Sequence, residues 1–142
     1  MAIGVYINFN GNCLEAIEFY AKVFETESPK IMTFGEAPPN PEFPIPEEAK
    51  KLVMHALLNI NGNSFMFSDV FPGSHFSEGN NISLVVVSKS IDDTKCLFEK
   101  LKEGGTVVME LQETFWSKCY GSLTDRFGIV WQLSYDNGEI TI

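Results

Sequence analysis

The chain has 142 residues, 44% of them hydrophobic, which fits one globular domain or two small fused modules and supplies enough apolar surface for a core. Ten Lys and Arg against nineteen Asp and Glu give a net charge of -9, a field that repels nucleic-acid phosphates and anionic lipid. No apolar run approaches the ~20 residues that span a bilayer, and the start Met1-Ala2-Ile3-Gly4 lacks a signal-peptide pattern, so the expectation is a cytoplasmic protein with neither nucleic acid nor membrane as partner.

In chain order, Ile3 to Phe9 reads as a strand and Cys13 to about Phe24 as an amphipathic helix. Asn12 stands where a capping residue belongs, with Glu15 three residues on as its capping-box partner. Leu14, Ile17, Ala21 and Phe24 then share one helical face, with Ala16, Tyr20 and Val23 beside them. Three strand candidates follow: Ile31 to Gly35, Leu52 to Ile60, and Ser64 to Val70, the last two joined by the hairpin signal Asn61-Gly62. Between the first two, Glu36 to Lys51 carries five of the seven prolines and is expected to run as an extended loop.

The order then repeats. Ile82 to Val87 is a β-branched run, and Ser90 caps a helix whose apolar stripe is Ile91, Thr94, Leu97, Phe98 and Leu101, stopped by Gly104-Gly105. Strands are expected at Thr106 to Leu111, Ser117 to Thr124 and Ile129 to Tyr135. The chain therefore reads as βαβββ twice: module one 1–70, linker 71–80, module two 81–136 and tail 137–142, together one 1–142 domain of the α+β class. The tail segment Glu139 to Ile142 adds an edge strand or frays.

Strand alternation separates the faces. In the second long strand Met54, Ala56, Leu58 and Ile60 belong under a helix, which leaves His55 on the other side. The same parity sets Asn81 and Ser83, and Gln132 and Ser134, apart from the apolar positions of their strands. With Trp116 at a strand entrance, these residues make a neutral polar lining suited to a small molecule. The plain reading of His55 is a histidine hydrogen-bonded to a neighbour, of His75 a solvated loop residue, and of Cys13, Cys96 and Cys119 reduced thiols. The nucleotide-loop, zinc-protease and hydrolase motifs are absent.

Asn8-Phe9-Asn10-Gly11-Asn12, Glu15 through Tyr20, Met32-Thr33-Phe34-Gly35, Met54-His55-Ala56, Gly79 through Leu84, and Leu111 through Gly128 together resemble the PhnB-like branch of the vicinal oxygen chelate superfamily, which includes glyoxalase I, extradiol dioxygenases and bleomycin-resistance proteins. The resemblance covers nearly the whole chain. It implies the glyoxalase/bleomycin-resistance fold, two βαβββ modules forming a curled, cup-like mixed sheet with helices outside, and commonly a homodimer. Metal-using members hold their ion at positions that fall near Val5, or Ile3 or Ile7 at the same parity, and at His55, Asn81 and Gln132. Only His55 and Gln132 are plausible ligands among these, and two without a carboxylate hold a metal poorly. The leading expectation is thus a metal-free small-molecule binder. The alternatives are an isomerase, lyase or dioxygenase using Zn, Ni, Mn or Fe at His55 and Gln132, and a non-catalytic structural dimer. Similar proteins are often labelled ubiquinone-pathway methyltransferases, but the doubly wound sheet with a glycine-rich first turn is not legible here.

Overall fold

Both halves of the chain fold by the same rule, a mixed sheet with a single helix laid on one face. In a computed structural model that describes residues 1–138, the chain divides into two compact units, Met1–Ser77 and the part from Glu78 onward. The first holds β1 (Val5–Phe9), α1 (Cys13–Val23), β2 (Lys30–Thr33), β3 (Val53–Ile60) and β4 (Asn63–Asp69). The second holds β5 (Leu84–Ser88), α2 (Ile91–Leu101), β6 (Thr106–Gln112), β7 (Tyr120–Thr124) and β8 (Val130–Tyr135). Each unit is thus βαβββ, and among the described residues its four strands form one sheet.

The strand orders β1-β4-β3-β2 and β5-β8-β7-β6 are equivalent. In each, the first strand runs parallel to the last, because a helical crossover joins it to the rest, and the other pairs are antiparallel. Asn61 and Gly62 both take positive φ, 53° and 84°, as a two-residue hairpin turn requires. The tail expectation for Glu139 to Ile142 lies outside the described residues.

In the first unit α1 buries Cys13, Ala16, Ile17, Tyr20 and Val23. Phe67 stacks on Tyr20, with ring centroids 6.1 Å apart. Leu14 stays 44% exposed, so the buried stripe begins at Cys13 rather than Leu14. Asn12 makes no side-chain cap. Asp69, at the end of β4, replaces it: Oδ1 accepts from the backbone N–H groups of Gly11 and Cys13 at 2.8 and 3.0 Å, and Oδ2 from Val53 N–H at 2.9 Å. An anionic acceptor at a helix start serves the unpaired amides better than a neutral amide oxygen.

In the second unit Ser90 caps α2 as expected, accepting from Asp93 N–H at 3.1 Å. Thr94, Phe98 and Leu101 are buried with Leu123, Trp131 and Leu133 of the sheet. Asp125 organises the β7–β8 turn: Phe127 and Ile129 N–H donate to Oδ1, and Trp131 Nε1–H donates to Oδ2 at 2.9 Å. The proline-rich segment is a loop with a short 3-10 turn at each end, Phe34–Glu36 and Glu47–Ala49, closed at its neck by Phe34 N–H to Leu52 O and Gly35 N–H to Lys50 O, both 3.0 Å.

Candidate functional site

The face of each sheet turned away from its helix carries the polar chemistry. In the second unit the register sets Val85 opposite Gln132 and Val87 opposite Ser134, while Tyr120 and Ser122 lie opposite Ser134 and Gln132. These residues share one face because Trp131, Leu133 and Leu123, one step out of phase, are buried on the other. Two hydrogen bonds tie the face together. Tyr120 O–H donates to Gln132 Oε1 at 2.6 Å, and Gln132 Nε2 donates to Ser83 Oγ at 2.7 Å.

Trp116 borders this relay, its ring edge-on to Tyr120 at 5.3 Å and to Phe115 at 4.8 Å. It sits in a turn before β7 rather than in a strand. The turn is anchored by Ser117, whose buried hydroxyl donates to Tyr135 O at 2.7 Å. Ser134 is half-buried on the same face as Gln132. Asn81 is exposed and precedes β5, which starts only at Leu84, so the expected strand placement for Asn81 does not hold. The structure therefore gathers Ser83, Trp116, Gln132 and Ser134 around Tyr120 and leaves Asn81 outside.

His55 belongs to the first unit, exposed on β3 with Met32 of β2 opposite. Its Nδ1 is 3.2 Å from the hydroxyl of Tyr6, and the two rings tilt across 5.8 Å. Ser68 O–H donates to Asn8 Oδ1 at 3.0 Å on the same face. The first-strand residues beside His55 are thus Tyr6 and Asn8, not Val5 or its same-parity neighbours. Val5 pairs with Phe65 and Ile7 with Phe67, on the face α1 covers. Tyr6 and Tyr120 are the candidate site side chains the sequence reading missed, and for Tyr6 the signal was present: Val5, Ile7 and Phe9 are apolar while Tyr6 and Asn8 alternate with them.

The donor set does not fit a tightly held divalent ion. No group of three or more His, Cys, Asp or Glu able to hold a metal occurs among the described residues. His55 Nδ1 is engaged by Tyr6, which leaves Nε2 as its one open ring nitrogen, and the Gln132 amide oxygen is engaged by Tyr120. Neutral hydroxyls and one amide are weak ligands where such ions take imidazole, carboxylate or thiolate. The thiols are no better placed: burial, and then the Asp69 charge, push Cys13 up to about 12, and burial raises Cys119 against the pull of Lys95. His75 is exposed in the irregular segment after β4.

A cavity of about 380 Å³ lies in the proline-rich loop, lined by residues such as Phe34, Pro38, Pro41, Phe43 and Lys50. Prolines bring no N–H donors to it. Lys50 is held in an ion pair with Glu47 at 2.6 Å. The loop offers apolar surface rather than chemistry.

Comparison with known proteins agrees with this geometry. Residues 2–134 match the family described as 3-demethylubiquinone-9 3-methyltransferase. Protein YjdN of Escherichia coli (strain K12) is 31% identical over 143 residues, which cover 94% of this chain and 95% of that protein. Among solved structures, protein PA1353 from Pseudomonas aeruginosa is similar with a TM-score of 0.84 and 32% identity, over 96% of this chain and 98% of that one. The PhnB protein from Bacillus cereus gives 0.77 and 27% over 96% and 100%. At 15% identity and a TM-score of 0.59, a glyoxalase-related enzyme from Fulvimarina pelagi shares the fold, over 100% of this chain and 99% of that one. No helix among the described residues is long and apolar enough to cross a membrane.

Proposed function

The chain belongs to the PhnB-like branch of the vicinal oxygen chelate superfamily, within the family described as 3-demethylubiquinone-9 3-methyltransferase, and we propose that it binds a small organic molecule on its open sheet faces without a tightly held metal ion. One observation carries the reading: the half-buried relay Tyr120–Gln132–Ser83, edged by Trp116. A few oriented neutral donors and acceptors beside aromatic surface are what fix a small ligand's pose and select it. Nothing in the two mixed sheets argues for methyl transfer, because the parallel sheet and glycine-rich turn that seat a nucleotide-like methyl donor are not how this chain folds.

The test is a thermal-shift screen of aromatic and hydrophobic small molecules against the intact chain. A ligand at a hundred times its Kd adds about 2.7 kcal/mol of stability. That gain is expected to vanish in Gln132→Leu. The competing reading, a divalent-metal isomerase, lyase or dioxygenase, predicts stoichiometric Zn, Ni, Mn or Fe in protein purified without chelator and its loss in His55→Ala. The proposal includes a second copy of the chain as partner. Val85, Val87 and Val108 are 55%, 61% and 67% exposed at strand positions, where apolar side chains favour association. Light scattering across a wide concentration range is expected to give the mass of a dimer, and a monomer throughout would count against it.

A further inference from the structure

We infer that the open face of the first unit is an anion site, which recognises a carboxylate on the ligand through His55 and Lys30. The inference rests on the small-molecule reading above and names the chemical class. Strands β1 to β4 contain one carboxylate, Asp69, and it lies on the opposite face, buried and bound to three backbone amides. The open face is therefore free of acidic strand residues in a chain whose net charge is -9. A carboxylate-free face in so acidic a chain is where an anion meets least repulsion.

The face also supplies cationic and donor groups. Lys30 of β2 stands opposite Leu57, and Met32 opposite His55, so Lys30 and His55 are diagonal neighbours on one side of the sheet. Diagonal pairs of this kind are separated by about 7–8 Å, within reach of a long side chain. Lys30 has no ion pair and His55 Nε2 no hydrogen bond among the described residues. The Tyr6 hydroxyl lies 3.2 Å from Nδ1, so Nε2 is the ring nitrogen open to a ligand. An imidazole nitrogen beside the Lys30 ammonium offers a carboxylate a hydrogen-bond partner next to a cation. Tyr6 from β1 and Lys30 from β2 are the other titratable side chains on this face. β4 contributes Ser64, Met66 and Ser68, and β3 adds Leu57 and Asn59, none of them ionisable.

The experiment compares benzoate with benzamide by calorimetric titration of the full chain at neutral pH. Benzoate is expected to bind roughly tenfold more tightly than benzamide, the factor that corresponds to one added interaction of about 1.4 kcal/mol. His55→Ala and Lys30→Gln are each expected to weaken benzoate and to leave benzamide unchanged. Both residues are exposed, so the variants are expected to fold. Benzamide binding as well as benzoate, or a preference for benzoate that survives both variants, overturns the anion site alone. Failure of both compounds to bind overturns the anion site and counts against the small-molecule reading beneath it.

Discussion

His55 and Tyr120 occupy the same register position in the two repeats. The parallel pair β1–β4 matches Val5 with Phe65, and β5–β8 matches Leu84 with Trp131, so Met66 corresponds to Gln132. Leu57 opposite Met66 then corresponds to Ser122 opposite Gln132, and two residues back along each strand His55 corresponds to Tyr120. Both side chains are hydrogen-bonded, but to different strands: His55 to Tyr6 on β1, Tyr120 to Gln132 on β8. One backbone plan thus presents an ionisable pair in one unit and a neutral relay in the other.

That correspondence suggests a substitution the fold already tolerates. Gln132→Met places in the second unit the residue the first unit has at Met66, keeping length and packing while removing both bonds of the relay. Because Tyr120 and Ser83 are half-buried and reach water, the loss expected in urea denaturation is only about 1–2 kcal/mol. Small-molecule stabilisation is expected to disappear entirely, and unchanged stabilisation would detach the relay from binding.

Asp69→Asn probes the opposite case, a group whose role is architecture. An amide nitrogen cannot accept, so at least one of the three backbone N–H donors from Gly11, Cys13 and Val53 is orphaned in a buried setting. Bonds to a charged acceptor are worth about 1.5–3 kcal/mol, and a loss of that order is expected in the unfolding midpoint. A loss below half a unit on the same scale would mean that water satisfies the donors.

The contrast between Ser90 and Asn12 shows where sequence reading succeeds and where it stops. Ser90 caps α2 from within its own turn, a contact three residues long and therefore visible as a pattern. The cap of α1 comes from Asp69, more than fifty residues away, and no local rule reaches it. The eight strands and two helices among the described residues were legible from their apolar alternation or β-branched runs and from the turn signals between them. The equivalence of His55 and Tyr120 was not, since β3 has 8 residues and β7 has 5 and the repeats do not align by pattern. The relay was half legible: the parity of Ser83 and Gln132 set them apart from the apolar positions, but the tyrosine that completes it, alternating with Gly121 and Leu123, was not singled out.

The cysteines are expected to respond in order of burial. Cys96 is exposed on α2, whereas Cys13 and Cys119 are buried, and so only Cys96 is expected to react quickly with a thiol reagent in the native state at neutral pH. Cys13 also sets an alkaline limit. A thiol released by unfolding titrates near 9.0, while in the folded chain burial and then Asp69 push it up to about 12. The folded state therefore holds the proton more tightly. The contribution is fully present below about pH 9 and is lost as pH rises toward 12. Cys13→Ala is expected to flatten the stability profile over that interval, and an unchanged slope would assign it to other groups.

Gly105 makes the sharpest steric prediction. It lies between the end of α2 and β6, where the chain turns back against the β7–β8 turn. A Cβ there would stand against the carbonyl oxygen of Thr124 and 2.9 Å from Cα of Asp125, both backbone atoms that cannot rotate away. Gly104, beside it, has φ 75° and would place a Cβ 3.2 Å from the movable side chain of Arg126. Gly105→Ala must displace β6 from β7 or the Asp125 turn that anchors Trp131, and a loss of about 2–4 kcal/mol is expected from overpacking and disturbed pairing. Gly104→Ala carries the cost of a left-handed alanine, about 1 kcal/mol, and a shift of a few tenths of an ångström at Arg126. Paired urea denaturation of the two variants is expected to rank Gly105→Ala as the more damaging, and the reverse order would show that the close approach at Thr124 relaxes at little cost.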